Sequence, residues 1–210
     1  MISFFVIRHG ETLLNRLGRA QGWSDSPLTP RGVETAMELG AELRGTVFRA
    51  AYASDTIRAE QTAKLVLSAS GNDAVEVRKE PRLREWCLGR MEAEDNTVFI
   101  RAVSDWLGVS SFAELNRRLP DVAETIREKD TTGMTETFTA IAGRLKGVLT
   151  EAAGDRSLGG DGNILVVTHA FAIKTLLYLF APETLFAMGK VKNAAVFRLV
   201  YDGGEFSLRE

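Results

Sequence analysis

The sequence predicts an α/β fold with three layers, in which a mainly parallel central sheet carries helices on both faces. Three uncharged apolar runs of strand length, residues 2–7, 50–53 and 164–167, indicate strands that are buried on both sides. Segments whose apolar residues recur at helical spacing alternate with these runs. With 210 residues, the chain has the length of one domain, or of one domain with an insertion.

The first half of the chain alternates strands and helices. Thr29 and Pro30 form an N-cap and first-turn pair, which predicts a helix over about residues 30–44 after the first strand. Ser54 follows the second strand and is the expected N-cap of the next helix. Val75 and Val77 alternate with charged residues, a pattern typical of a half-exposed strand.

The segment 92–133 lacks strand signals, and we expect it to form a helical cap inserted into a single domain that spans residues 1–210. Its apolar side chains lie among many charges, which favours short helices over a disordered linker. They are Phe99, Trp106, Leu107, Phe112, Leu115 and Leu119.

The last third repeats the alternation of helix and strand. A helix over about 135–152 precedes a glycine-rich connection at Gly159, Gly160 and Gly162, the third buried strand and a further helix. That connection leads into a strand instead of opening a helix, so we do not expect it to cradle a phosphate. The turn sequence 202–204 between two apolar runs predicts a hairpin at the sheet edge.

Composition and charge exclude several classes of protein. The 26 Lys and Arg against 28 Asp and Glu give a net charge of −2, which argues against a nucleic-acid partner. A single cysteine, Cys87, cannot form an intrachain disulfide or a cysteine zinc cluster and fits a reducing compartment. The apolar stretches at 2–7 and 170–181 are too short for a secretory signal and a membrane span. We therefore expect a cytoplasmic protein without a membrane partner, and the sequence leaves a homodimer open.

Both histidines of the chain follow buried strands. Arg8 and His9 come after the first strand, Arg58 lies near the start of the helix after the second, and His169 comes after the third. Ligand sites in parallel sheets lie at the carboxyl ends of the strands, so these side chains are expected to meet there. Imidazole can act as a nucleophile or a general base near neutral pH, and the arginines make the pocket cationic.

Two alternatives remain on the residues alone. A metal site could use both histidines with Glu11 or Asp25, but neighbouring guanidinium groups oppose a divalent cation. The histidines could also be ordinary structural residues.

The spaced motifs resemble those of the histidine phosphatase superfamily, the phosphoglycerate-mutase-like proteins. Four of them occur in the family's order between residue 2 and about residue 180. They are Arg8-His9-Gly10-Glu11-Thr12 with Asn15, Gln21-Gly22, Asp25, Pro27-Leu28-Thr29 and Gly32; Ser54-Asp55 with Arg58-Ala59 and Gln61-Thr62-Ala63; Leu83-Arg84-Glu85; and Thr168-His169.

The resemblance implies that His9 accepts a phosphoryl group from a small phosphorylated substrate, with no metal and no cofactor. The residues that it implies as phosphate-binding are Arg8, Asn15, Gln21, Gly22, Arg58, His169 and Ala170. His9 must be neutral to attack, and its second ring nitrogen should donate to an acceptor that fixes the tautomer. Glu85 matches the family's general acid, although between Arg82 and Arg84 it could also be a solvated surface carboxylate.

Departures from the family pattern bear on the substrate. Ala170 and Phe171 stand where the second histidine is usually followed by glycine, and Phe171 is expected to reshape the site. The segment after Glu85 lacks the tyrosine and lysine of the mutases, which favours a metal-independent phosphomonoesterase. A cofactor-dependent phosphoglycerate mutase and a non-catalytic phosphate-binding scaffold are the alternatives.

The segment 92–133 also bears on this choice. Arg117 and Arg118 could bind a second anion, as an arginine pair does in the mutases, or could simply lie on an exposed helix. Phe99, Trp106 and Phe112, with Trp23, could line the substrate entrance or pack within the protein.

Overall fold

The computed structural model describes residues 1–155 and 161–209, so Gly159 and Gly160 of the predicted connection lie outside the described residues. Within this part of the chain, the strands form one sheet in the order β3-β2-β4-β1-β5-β6. The strands are β1 (Ile2–Arg8), β2 (Phe48–Ala53), β3 (Val77–Lys79), β4 (Gly162–Thr168), β5 (Val196–Asp202) and β6 (Glu205–Arg209). The first four of these are parallel, whereas β5 and β6 add an antiparallel hairpin at the edge. The predicted α/β class and the edge hairpin are confirmed.

Helices cover both faces of this sheet. They are α1 (Leu13–Arg16), α2 (Pro30–Glu42), α3 (Ile57–Ser70), α4 (Asn96–Leu107), α5 (Phe112–Arg117), α6 (Leu119–Lys129), α7 (Phe138–Gly154), α8 (Ala170–Phe180) and α9 (Pro182–Ala187). Thr29 caps α2 by accepting from the Gly32 N–H, and Pro30 opens the helix, as predicted. Among the described residues, no helix is both long and apolar enough to cross a membrane.

Alternate side chains of the central strands point to opposite faces, which makes two separate cores. Ile7 of β1 and Val167 of β4 belong to a cluster that α2 and α3 cover. Phe4 of β1 and Val166 of β4 belong to a larger cluster that includes residues of α7, α8 and the cap helices. This three-layer arrangement places the ends of β1, β2 and β4 along one open edge, where the site forms.

The segment 92–133 forms the cap helices α4, α5 and α6, as its apolar pattern predicts. Their buried side chains, which include Phe99, Val103, Leu119 and Val122, join the larger core. The cap is therefore packed onto the sheet side that carries α7 and α8.

One predicted helix start is wrong. Thr56, not Ser54, precedes α3, and its side chain makes no capping hydrogen bond. Asp25 from a distant loop instead accepts from the Ile57 N–H at 2.6 Å. The Ser54 N–H is already committed to the Val167 carbonyl oxygen at 3.0 Å, which extends the sheet pairing by one residue. A cap supplied by another loop leaves no local sequence signal.

Candidate active site

His9 lies directly beyond β1 and is 3% exposed. Its Nδ1 is 2.8 Å from the carbonyl oxygen of Gly10. Because a carbonyl oxygen can only accept, Nδ1 carries the ring hydrogen and Nε2 keeps its lone pair. The acceptor that fixes the tautomer of His9 is thus the carbonyl oxygen of the next residue, which the sequence could not identify. Gly10 is required here because a Cβ would lie 2.5 Å from the Gly32 carbonyl oxygen.

The backbone around His9 is fixed by the loop before β5. The Asn193 amide nitrogen donates to the His9 carbonyl oxygen and to Asn15 Oδ1, both at 3.1 Å. The neighbouring Ala194 adopts a left-handed φ of 56° and donates its N–H to the Arg8 carbonyl oxygen at 3.1 Å. Asn193 could not be identified from the sequence, because it lies 184 residues from His9 and in no motif.

His169 is the N-cap residue of α8 and faces His9, with ring centroids 5.1 Å apart. Arg58 Nε donates to His169 Nδ1 at 3.2 Å. Arginine has no acceptor, so His169 Nδ1 is unprotonated and Nε2 carries the hydrogen. This Nε2 is buried and has no hydrogen-bond partner within the described part of the chain.

Arg58 is fully buried, and its donors are largely committed to the protein. Nη1 donates to Asp25 Oδ1 at 2.9 Å and to the Ser24 carbonyl oxygen at 2.8 Å, and Nη2 donates to the Gly22 carbonyl oxygen at 2.7 Å. Nη2 also shares His169 Nδ1 with Nε. Arg58 therefore orients His169, and each of its three nitrogens has a partner among the described residues, so phosphate binding by Arg58 remains a prediction.

Arg8 supplies a second cation beside His9. Its Nη1 donates to the Val191 carbonyl oxygen at 2.6 Å, while its buried Nε has no partner among residues 1–155 and 161–209. Burial lowers the pKa of Arg8 to about 10, which leaves it charged at neutral pH. Buried donors are nearly always satisfied, so the free donors of Arg8 and His169 indicate that oxygens of an anionic ligand belong here.

The electrostatics of the site favour neutral imidazoles. Burial, followed by the charge of Arg58, holds the pKa of His9 and that of His169 well below their ordinary value. His9 Nε2 therefore keeps its lone pair at neutral pH, and its role as the nucleophile remains a prediction.

Glu85 is buried, which excludes the alternative of a solvated surface carboxylate. Its Oε1 accepts from the N–H groups of Trp86 at 3.0 Å and Ala172 at 2.9 Å, and Oε2 accepts from the Phe171 N–H at 2.8 Å. Burial raises the pKa of Glu85, and the backbone hydrogen bonds partly oppose the rise. The carboxyl group thus sits at the N-terminus of α8, next to His169. The N–H group of Ala170, the residue before Phe171, has no acceptor among the described residues.

Glu92 organises the loop that carries the partners of Arg58. Its carboxylate accepts from the N–H groups of Gly22 at 3.1 Å, Trp23 at 2.8 Å and Ser24 at 3.0 Å, and also from the Leu88 N–H at 3.0 Å. The Gly22 N–H is thereby occupied, so Gly22 contributes to the site through its carbonyl oxygen on Arg58. The sequence analysis did not single out Glu92, whose only signal is a carboxylate seven residues after Glu85.

Asn15 and Gln21 lie within the loop beyond β1. Asn15 Oδ1 accepts from the Thr12 N–H at 3.3 Å, which completes a capping box for α1. The Gln21 amide lies 2.7 Å from Thr12 Oγ1 and 3.2 Å from Ser26 Oγ. Both amides brace the loop, and phosphate binding by either remains a prediction.

A cavity of about 170 Å³ opens between the cap helices, Arg8 and the start of α8. We call it the cap cavity. Its walls are mostly apolar and include Phe99, Phe112 and Phe171, so two of the predicted entrance aromatics do line it. Polar groups enter it from Arg8, Asn96, Asn116, Lys174 and Lys190.

The other residues that were predicted to line the substrate entrance or to bind a second anion do not line the cap cavity. Trp106 packs against the larger core, and the Trp23 ring lies 5.1 Å from the Arg84 guanidinium, with Nε1 donating to the Glu85 carbonyl oxygen at 3.0 Å. Arg118 pairs with Asp121 at 2.8 Å, and Arg117 lies over the Phe186 ring. Both arginines are exposed and line no part of the cap cavity, which agrees with the exposed-helix interpretation.

Comparison with known proteins finds relatives in both sequence and fold. The chain is 29% identical over 203 residues to a probable phosphoglycerate mutase GpmB of Enterobacter sp. (strain 638), across 96% of this chain and 86% of that protein. The structure of a phosphoglycerate mutase from Bacillus anthracis superposes with a TM-score of 0.91 at 35% identity, covering 99% of this chain and 91% of that one.

A phosphoserine phosphatase from Entamoeba histolytica, solved with 3-phosphoglyceric acid, shares the fold, with a TM-score of 0.73 at 24% identity and coverage of 100% and 96%. The sequence model of the histidine phosphatase superfamily (branch 1) matches residues 4–210. The chain belongs to branch 1 of the histidine phosphatase superfamily.

Proposed function

We propose that this protein is a metal-independent phosphomonoesterase that hydrolyses a small phosphorylated metabolite through a phosphohistidine on His9. The observation that carries the proposal is the pair of unsatisfied buried donors, Arg8 Nε and His169 Nε2, beside a histidine whose Nε2 lone pair is free. A phosphoryl group supplies the oxygens that those donors lack and the phosphorus that the lone pair attacks.

In the first step, His9 Nε2 forms a bond to phosphorus while the ester P–O bond breaks. Arg8, His169 and the Ala170 N–H donate to the phosphoryl oxygens, while Arg58 holds His169 in place and adds positive charge beside them. Glu85 in its protonated form, which burial favours by raising its pKa, gives its proton to the leaving oxygen. Its Oε2 accepts a single backbone hydrogen bond, which leaves room for that proton.

In the second step, Glu85 as a carboxylate takes a proton from water while the water oxygen attacks phosphorus. The P–N bond breaks, phosphate leaves and His9 is neutral again. The hydrogen bond from His9 Nδ1 to the Gly10 carbonyl oxygen holds the ring in the reactive tautomer throughout.

Phosphatase activity is favoured over mutase activity by the surroundings of the site. The cap cavity is mostly apolar, and Arg117 and Arg118 lie outside it. A mutase must hold a hydroxyl-bearing sugar acid while it returns the phosphoryl group, and the aromatic and aliphatic side chains that form most of the cavity wall cannot hydrogen-bond to such hydroxyl groups. The mutase names of the relatives make a cofactor-dependent phosphoglycerate mutase the second candidate. A non-catalytic scaffold is disfavoured because His9, both arginines, Glu85 and His169 are all present.

The test is phosphate release from phenyl phosphate in excess chelator, for the wild type and His9→Ala, between about pH 5 and pH 8. Removal of the nucleophile is expected to lower turnover by about 10⁴-fold or more. A trapped phosphoenzyme in the wild type alone would identify the intermediate. Conversion of 3-phosphoglycerate that depends on 2,3-bisphosphoglycerate, without phosphate release, would establish the mutase instead.

A further inference from the structure

The cap cavity contains a buried cation that the proposed phosphoryl chemistry does not use. Lys174, on α8, is 6% exposed and lines the cavity. Its Nζ donates to Asn116 Oδ1 at 2.8 Å and lies 5.7 Å from the ring centres of both Phe112 and Phe171. Within the described residues, no carboxylate forms a salt bridge with it.

A buried ammonium with one oxygen acceptor is under-satisfied. The group carries three N–H donors, and burial of a charge without a counter-charge is costly. Two aromatic rings stabilise it only in part. Lys190 Nζ lies 5.5 Å from the Phe112 ring on the same cavity, so the local charge is more positive still. These surroundings favour an anionic oxygen of a ligand at Lys174.

Asn116 holds Lys174 in this position. The Asn116 amide nitrogen donates to the carbonyl oxygens of Leu185 at 3.0 Å and Met188 at 2.9 Å, which leaves its oxygen to face the ammonium. Asn116 is fully buried, and the order of its amide is fixed by these three partners. The cation is therefore positioned by the fold and does not move freely on a surface.

The rest of the cavity is suited to an apolar body of ring size. Its volume is about 170 Å³, and apolar cavities of about 150 Å³ lined by Leu, Ile and Phe bind benzene. Its lining side chains include Ile100, Val103, Leu115 and Val122. Arg8, which is placed to bind phosphate, also lines this cavity. A phosphate at Arg8 and an apolar group in the cavity can therefore belong to the same molecule.

We propose that Lys174, supported by Asn116 and Lys190, is a specificity subsite for a carboxylate carried by the apolar, ring-sized organic part of the phosphate ester. This inference rests on the proposed phosphatase function for its substrate, and it deepens that function by naming the substrate class. Phosphate lies at the His9 end, the apolar body in the cavity and the carboxylate at Lys174.

The test compares two esters of equal size that differ in charge, carboxyphenyl phosphate and carbamoylphenyl phosphate, each as the meta and para isomer. The ratio of kcat/KM for acid over amide is measured in the wild type, in Lys174→Met and in the control Lys129→Met on the exposed end of α6. We expect Lys174→Met to lower the ratio about tenfold or more, mainly through KM, because it removes a charged hydrogen bond. Lys129→Met should leave the ratio unchanged.

Should Lys174→Met fail to fold, Lys174→Gln tests the same ratio with a polar, uncharged side chain that can still bond to Asn116. Equal ratios in the wild type and the Lys174 variant would overturn the subsite while leaving hydrolysis intact.

Failure of the catalytic proposal is detected separately by binding. Calorimetry with His9→Ala measures the affinity of both esters without turnover. If the wild type hydrolyses neither ester but His9→Ala binds the acid about tenfold tighter than the amide, and Lys174→Met in that background removes the difference, the subsite stands without hydrolysis. Equal affinity for acid and amide, or no binding of either, overturns the subsite.

Discussion

Around His9, a dense hydrogen-bond network leaves a few buried polar atoms, Arg8 Nε and His169 Nε2 among them, without partners in the described chain, whereas the cap cavity is an apolar space into which a few charged groups project. Arg58 alone is bound to Asp25, Ser24, Gly22 and His169, and Glu92 fixes the loop that supplies three of these partners. Lys174 has one hydrogen bond and two aromatic neighbours. The side chains of the first region are held in place by the protein, whereas the charged groups of the second have few partners. Substitutions around His9 should therefore change mainly kcat, and substitutions in the cap cavity should change mainly KM.

The largest effect is expected for Glu85→Gln. It should lower kcat for an alkyl phosphate by about 10² to 10⁴-fold, because an alkoxide leaving group needs a proton. The loss should be far smaller for nitrophenyl phosphate, whose leaving group is stable as an anion. Steady-state kinetics on both substrates provide the measurement, and equal losses would show that Glu85 is not the acid.

The same residue fixes the sign of the pH dependence. Since burial raises the pKa of Glu85, wild-type turnover of the alkyl phosphate should fall as pH rises through that pKa and the acid loses its proton. Glu85→Gln should lack this falling limb. Its persistence in the variant would assign the limb to another group.

The next effect concerns the free energy of unfolding at acidic pH. The pKa values of His9 and His169 are lowered in the folded protein, so the unfolded state binds more protons as pH falls below about 6.5. Each histidine should reduce the free energy of unfolding by about 1.4 kcal/mol per pH unit below that value until its folded pKa is reached.

Urea denaturation at pH 7, 6 and 5 measures this loss. His9→Asn should lose about half of the histidine-dependent slope. Glu85, whose pKa moves the opposite way, titrates in both proteins and cancels in the difference. A variant with the wild-type slope would mean that His9 is protonated in the folded state.

A smaller effect is expected in the cap cavity. Phe112→Ala removes part of the wall and one of the rings against Lys174, so KM for phenyl phosphate should rise about tenfold, in line with about 1.5 kcal/mol of lost apolar contact. The value of kcat should change little, because no hydrogen bond of the His9 network is touched. A fall in kcat with KM constant would show that the two regions are coupled.

The smallest effect is expected for Asn193→Ala, which removes hydrogen bonds to the His9 carbonyl oxygen and to Asn15. We expect about 1 kcal/mol of stability to be lost, with a severalfold lower kcat and an unchanged KM. Asn163→Ala is the matched control, because it removes a side-chain bond to the Val47 carbonyl oxygen away from the site. If both variants retain wild-type kcat, Asn193 is structural only.

The sequence predicts the site wherever a motif and a strand end coincide. His9 and His169 could be placed because each closely follows an apolar run of strand length, and Arg58 because it lies near the start of the helix after another. The apolar pattern of 92–133 likewise predicted the cap helices. These are local signals, which depend on residues that are neighbours in the chain.

Contacts between distant segments could not be read in the same way. Asp25 caps α3 from 32 residues away, and Phe171 and Ala172 hold the Glu85 carboxylate from 86 and 87 residues away. Whether an aromatic side chain faces a cavity or a core depends on the helix it lies on and on what packs against that helix, so Phe112 and Trp106 could not be told apart from sequence.

His169 is the N-cap residue of helix α8, and Lys174 follows it by five residues within the helix. At 1.5 Å per residue, these two positions are about 7.5 Å apart along the helix axis. Because the helix is packed against the sheet on one side and the cap on the other, the distance between these two positions is fixed. If Lys174 binds the carboxylate as proposed, the distance between the phosphate and the carboxylate of the substrate must match this spacing. An ester in which the two groups are closer together can contact His169 or Lys174 but not both.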